Sequence, residues 1–245
     1  MPPSPGPSHL HAQHTPEAIA ARLAANTDHS YLGDAILGAI DGTVTTFAIV
    51  AGATGARLPP GIALVLGLAN VLADGFSMAV SNYLRAKADW QVVDHARRVE
   101  ESHIERIPDG EREEIRQIFV RKGFEGKLLD AAVDVITQDR RRWVDTMLME
   151  ELGLRLDPPR PLRAAITTFL AFLVAGLVPL VPLLAGHPFL ASAIATAATF
   201  FAIGVVKGRM LRTGWLRGGI ETFVIGGGAA LLAYAVGHAT RGLVD

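Results

Sequence analysis

Two aspartates stand inside stretches of this sequence that are otherwise free of charge. Between Ala35 and Ala56 the only charged side chain is Asp41, and between Leu58 and Leu84 it is Asp74. A charged side chain at mid-bilayer costs roughly 2.5–3.5 kcal/mol on insertion scales, so an acid in such a stretch marks a functional position unless it sits at a helix end and touches water. Asn70, Asp74 and Met78 follow at intervals of four, which aligns an amide, a carboxylate and a thioether along one helix face. Oxygen donors with one soft sulfur suit the transient holding of a borderline divalent metal ion. Taken alone, Met78 reads as a packing residue.

A second set of metal-type donors lies in the charged segment from Lys87 to Pro161. Glu100 and His103 form Glu-x-x-His, Glu111 and Glu114 form Glu-x-x-Glu, and Met147 and Glu151 are one turn apart. Such spacings put both members of a pair on one helix face, where two helices could converge on a cation. A di-iron oxidase centre is not expected, because it needs Glu-x-x-His twice and the motif occurs once here. Glu and Arg alternate through the segment, and such faces are commonly just solvated. The sequence contains no cysteine, so any metal site uses oxygen, imidazole or thioether ligands.

The elements that must position these residues follow from where the charges fall. Half of the residues are hydrophobic and 19% are charged, too apolar on average for an ordinary soluble domain. Besides the two stretches above, Ala164 to Val206 holds only His187, and Gly218 to Thr240 only Glu221 and His238. Spanning takes roughly 20 apolar residues, and the long third stretch turns at Pro179, Pro182, Gly186, His187 and Pro188, so about five spanning helices are expected. Glu221 is expected to pair with Arg217 one turn away. Lys and Arg concentrate at Arg85, Lys87, Arg160, Arg163, Lys207, Arg209, Arg212 and Arg217, against Arg57 and Arg241 on the other side. The positive-inside rule then puts the N-terminus, the insertion and the 207–217 loop in the cytoplasm and the C-terminus outside.

The expected fold is therefore an all-α membrane protein of five transmembrane helices, with a three-helix cytoplasmic domain inserted between spans two and three. Its divisions are an N-terminal arm (1–30), spans one and two (31–90), the insertion (91–160) and spans three to five (161–245). In the insertion, Ile115, Ile118 and Phe119, then Leu128, Leu129, Ala132, Val133 and Ile136, recur at helical spacing. Pro108-Asp109-Gly110 separates its first helix from the second, and Gly123 and Gly126 the second from the third. So small a core calls for self-association or docking. The arm opens on Pro2, Pro3, Pro5 and Pro7, carries His9, His11 and His14, and reads as a disordered tail with a short helix opened by Thr15-Pro16-Glu17. No signal peptide is evident, so the first span is expected to direct insertion. A net charge of −1 argues against nucleic acid as a partner.

Asp41-Gly-Thr-Val-Thr-Thr-Phe-Ala, Gly67-Leu-Ala-Asn-Val-Leu-Ala-Asp-Gly-Phe-Ser-Met78, Asn82-Tyr-Leu, Glu150-Glu-Leu-Gly-Leu and Gly176-Leu-Val-Pro-Leu-Val-Pro together resemble the vacuolar iron transporter family in order and spacing. The resemblance implies a homodimeric exchanger that moves Fe2+ out of the cytosol against protons, with a metal-binding cytoplasmic domain between spans two and three. It implies pore roles for Asp41 and Met78, and cytoplasmic metal-binding roles for Glu100, Glu111, Glu114, Glu151 and Met147. Two positions depart, since Asn70 and His103 stand where the plant-type pattern has glutamates. Asn70 removes a titratable group, which Asp74 one turn along could replace; His103 keeps a metal ligand. No resident cofactor is expected, the metal being transported or bound: Fe2+, with Mn2+, Zn2+ or Co2+ as alternatives. Besides metal and membrane lipid, the expected partner is a second copy of the chain, in a bacterial plasma membrane. The competing reading is a membrane-anchored metal-binding or sensor protein without transport.

Overall fold

The computed structural model describes residues 11–12, 14–24 and 29–243, and among them it is helical with no strand. The helices are α1 (Pro16–Ala24), α2 (Leu32–Gly55), α3 (Pro60–Arg106), α4 (Pro108–Arg121), α5 (Gly126–Thr137), α6 (Arg140–Glu150), α7 (Pro161–Leu177), α8 (Val181–Leu184), α9 (Phe189–Met210) and α10 (Trp215–Ala239). The short N-terminal helix starts as its sequence requires: the Thr15 hydroxyl accepts a hydrogen bond from the Ala18 N–H at 3.2 Å, and Pro16 occupies the first helical position. Of the arm's histidines, His9 lies outside the described residues.

The chain divides into two compact units, Met1–Asn82 with Leu162–Asp245, and Tyr83–Pro161. In the first, α2, α3, α9 and α10 are each long and apolar enough to cross a membrane. A 20-residue helix covers about 30 Å. Helix α7 has 17 residues. The chain then turns through α8 and Gly186, whose φ of +76° suits glycine, and α9 follows Pro188. The Ser192 hydroxyl ties this turn down by donating to the Pro179 carbonyl at 2.6 Å.

Small residues let the apolar helices close on one another. A Cβ on Gly38 would lie 2.3 Å from the Thr168 carbonyl oxygen of α7, and one on Gly204 of α9 2.2 Å from the Gly218 carbonyl oxygen of α10. Phe47, Val50, Val71 and Leu180 form the buried centre of this unit, with Phe47 stacked on Phe189 at 5.8 Å between ring centroids.

In the Tyr83–Pro161 unit, Ile115, Ile118, Leu129, Val133, Trp143 and Met147 form the core, flanked by Ile104, Phe119, Phe124 and Ile136. Leu128 departs from the expected apolar face, for it is 65% exposed; the buried stripe of α5 is centred on Leu129 and Val133. The third expected helix of the insertion is two, α5 and α6. Asp139 breaks it, its side chain accepting from the Arg142 N–H at 2.8 Å as an N-cap. Nor is the first helix of the insertion separate. It is the continuation of α3, a single helix of 47 residues. The Glu and Arg alternation is largely used up in pairs: Arg112 with Asp134, Arg116 with Asp130, Arg140 with Glu105, Lys122 with Glu150.

Candidate metal centre

Helix α3 carries Glu100 and His103 on one face near its end, and the chain then reverses abruptly. Ile107 N–H still donates to the His103 carbonyl at 2.8 Å, Pro108 opens α4, and Gly110 N–H donates back to Ile107 at 2.9 Å. This tight reversal returns the first turn of α4 to the last turns of α3, and so Glu111 to His103. Acidic side chains are also favoured there by the helix dipole.

The geometry is one that could hold a cation. Glu100, His103 and Glu111 each present a ligand atom within 4.8 Å of the others, the one such group of three among the described residues. His103 Nδ1 lies 3.3 Å from Glu111 Oε1. Glu100 and Glu111 are 5% and 1% exposed, and Glu111 Oε2 is buried without a hydrogen-bond partner. Burial, followed by the charges of Glu114 and Glu100, pushes the Glu111 carboxyl up to about 7; His103 opposes them, and a hydrogen bond with Glu100 adds to the rise. Burial, then the charges of Glu114 and Glu100 and a hydrogen bond with Glu114, likewise raises Glu151, again against His103. Glu100 and Glu111 are thus buried beside one another, with the exposed Glu114 and Glu151 near enough to add their charge, an arrangement in which the carboxylates cannot all ionise cheaply. A divalent cation removes that conflict. Met147 is fully buried in the apolar core, one turn before Glu151, whose N–H donates to the Met147 carbonyl at 3.0 Å.

In the membrane unit, α2 and α3 run antiparallel and present polar side chains to each other. Asn70 Nδ2 donates to Thr45 Oγ1 at 3.1 Å, and Thr45 Oγ1 donates to the Asp41 carbonyl at 2.9 Å. Asp41 and Asp74 are half-buried, and the charge of Asp74 acts on Asp41. Further along, Asn82 Nδ2 donates to Asp34 Oδ1 at 2.8 Å and to Thr168 Oγ1 of α7 at 2.7 Å. Position numbers rise along α2 as they fall along α3: Asp34 with Asn82, Asp41 with Asp74, Thr45 with Asn70. Met78, half-buried, falls between the first two of these pairs.

Asp34 and Thr168 are absent from the sequence-based candidates. The signal was present, since Asn82 extends the interval of four from Asn70 through Met78 and Asp34 lies two turns before Asp41. Glu221 is paired differently from expectation: its partner is Lys207 of α9 at 3.4 Å, because helix packing brings α9 alongside.

One match takes in most of both units. Residues 32–238 match the VIT family. The chain belongs to that family. Among VIT-family relatives it is 32% identical to "Vacuolar iron transporter 1" of Tulipa gesneriana, over 98% of this chain and 96% of the relative. It is 33% identical to "Vacuolar iron transporter" of Toxoplasma gondii, over 86% and 75%, and 32% identical to "Vacuolar iron transporter 1" of Arabidopsis thaliana, over 83% of each. These relatives are named as transporters and none as an enzyme. VIT membership and four membrane-length apolar helices make this chain an integral membrane protein.

Proposed function

We propose that this chain is a divalent metal/proton antiporter that removes Fe2+ from the cytosol. The observation that carries the reading is the convergence of Glu100, His103 and Glu111, two of them buried, in a chain whose relatives are named iron transporters. Glu114, Glu151 and Met147 complete the intake site. From there the ion reaches the facing acids of α2 and α3, Asp41 and Asp74, with Met78 as a soft ligand and Asn70 as a further oxygen donor. A carboxylate holds either a metal ion or a proton, and that competition supplies the coupling. Asn70, held by Thr45, carries no proton to exchange, and Asp74 is the carboxylate one turn along the apolar part of α3.

The topology that serves this function has five spans. Span three is α7 continued by α8, since 161–184 together is long enough to cross with tilt. The charge bias of the loops puts Tyr83–Pro161 and the N-terminus on the cytosolic side and the C-terminus outside. The outward apolar side chains of α3, Val65, Leu72 and Phe76 among them, are exposed in the single chain, which suits pairing with a second copy as well as lipid.

Uptake into proteoliposomes with an acidic interior tests the proposal. Fe2+ is expected to enter as protons leave, and Asp41→Ala is expected to abolish entry while leaving metal binding at the Glu111 site intact. Binding without flux in the unaltered chain would favour an anchored metal-binding protein instead. Competition with Mn2+, Zn2+ and Co2+ in the same assay identifies the cargo.

A further inference from the structure

The cluster at the end of α3 is not made of oxygen alone. Its third corner is His103, whose Nδ1 stands 3.3 Å from Glu111 Oε1. Bonds of about 2.0–2.1 Å arranged tetrahedrally give ligand–ligand edges of about 3.3 Å, so this separation is one that two ligands of a single ion keep. Glu111 supplies the independent sign of a ligand: it is 1% exposed and its Oε2 atom is buried with no partner, a state that native proteins rarely leave uncompensated. The imidazole is 47% exposed at its side chain and so open to an arriving ion, while the two carboxylates are buried.

Resting on the reading of this cluster as the intake site, we propose that His103 makes it select divalent ions that accept a nitrogen ligand, Fe2+, Co2+, Ni2+ and Zn2+, over those that prefer oxygen alone, Mg2+, Ca2+ and Mn2+. The chemistry follows from donor type. Carboxylates serve both classes; an imidazole suits Fe, Ni and Zn and gives little to Mg, Ca or Mn. Mg2+ in particular sheds its water reluctantly and gains least from a single nitrogen. A cluster of carboxylates alone would hold these hard ions as competitors for the site. One imidazole among four acids lowers the negative charge that attracts them and adds a bond they use poorly.

Co2+ and Mn2+ are the probes, being stable in air and bracketing the two classes. Any oxygen and nitrogen site binds Co2+ more tightly than Mn2+, so the quantity that isolates His103 is the change in the Co2+/Mn2+ affinity ratio on His103→Glu in the purified full chain. Loss of outer-shell partners already costs roughly 10- to 100-fold in metal affinity, and a direct ligand costs at least as much. The ratio is therefore expected to fall by about tenfold or more, with Mn2+ binding retained or strengthened. A contact-shifted imidazole N–H proton resonance in the Co2+-loaded chain is expected to vanish in the same variant. An unchanged ratio overturns the proposal, as does Co2+ and Mn2+ binding that survives Glu111→Gln undiminished, which would put the ions elsewhere. Absence of metal flux in proteoliposomes alongside a shifted ratio would remove the transport reading and leave this selectivity standing.

Discussion

The two units partner their buried acids differently. Across α2, α3 and α7, polar side chains meet polar partners: Asn82 bridges Asp34 and Thr168, and Asn70 reaches Thr45. In the Tyr83–Pro161 unit, Glu111 meets His103 through one carboxylate oxygen, while its other oxygen is buried without a partner and the charges of Glu114 and Glu100 act on it. The contacts of Asn82 and Asn70 are complete in the protein alone and tie the helices together. The arrangement at Glu111 is complete only with a proton or a cation. Acids that look alike in a sequence therefore differ in what they ask of a ligand.

The sharpest way to break this contrast is Glu111→Gln. Metal affinity is expected to fall by about 100-fold, while the metal-free chain melts at higher temperature because a buried charge conflict is gone; calorimetric titration and a thermal melt read the two effects. Asn82→Ala is expected to do the reverse, costing roughly 1–3 kcal/mol of stability by withdrawing a partner from Asp34 and Thr168, with calorimetrically measured Co2+ affinity unchanged. A smaller effect is expected from pH. The folded chain holds the Glu111 proton more tightly than the unfolded chain, so this group's contribution to stability is present below about 4.5 and is lost as pH rises to about 7; Glu151 acts in the same direction. Melts of the metal-free chain at pH 5 and pH 8 should show the decline, and added Co2+ should reverse it at pH 8. Smallest is Lys207→Met, which breaks an exposed pair with Glu221 and is expected to shift stability by less than about 1 kcal/mol.

Much of this was legible in the sequence because charge and hydropathy act over whole segments. The apolar helices and their turn at Pro179–Pro188 follow from composition, and Thr15-Pro16 announces α1. The continuity of α3 was not legible as such. The change from apolar to charged near Arg85 alters the solvent of the helix and not its backbone, and no Gly or Pro intervenes between Gly75 and Pro108. The break at Asp139 depended on a single cap within an otherwise helical run. At the candidate site, one-turn pairs such as Glu100 and His103 were visible, whereas their meeting with Glu111 required the reversal at Ile107–Gly110, a tertiary event that periodicity does not encode. Asp34 is hidden in the sequence for a related reason: an acid at the start of a span reads as a helix end in water until packing brings Asn82 and Thr168 onto it.

Simultaneous recording of metal and proton movement in proteoliposomes decides whether the chain is an antiporter. Fe2+ entry coupled to proton exit is expected in the unaltered chain, with both fluxes lost in Asp41→Ala although calorimetry still finds metal bound at Glu111. Fe2+ entry that proceeds without proton exit, or that persists at full rate in Asp41→Ala, would contradict it.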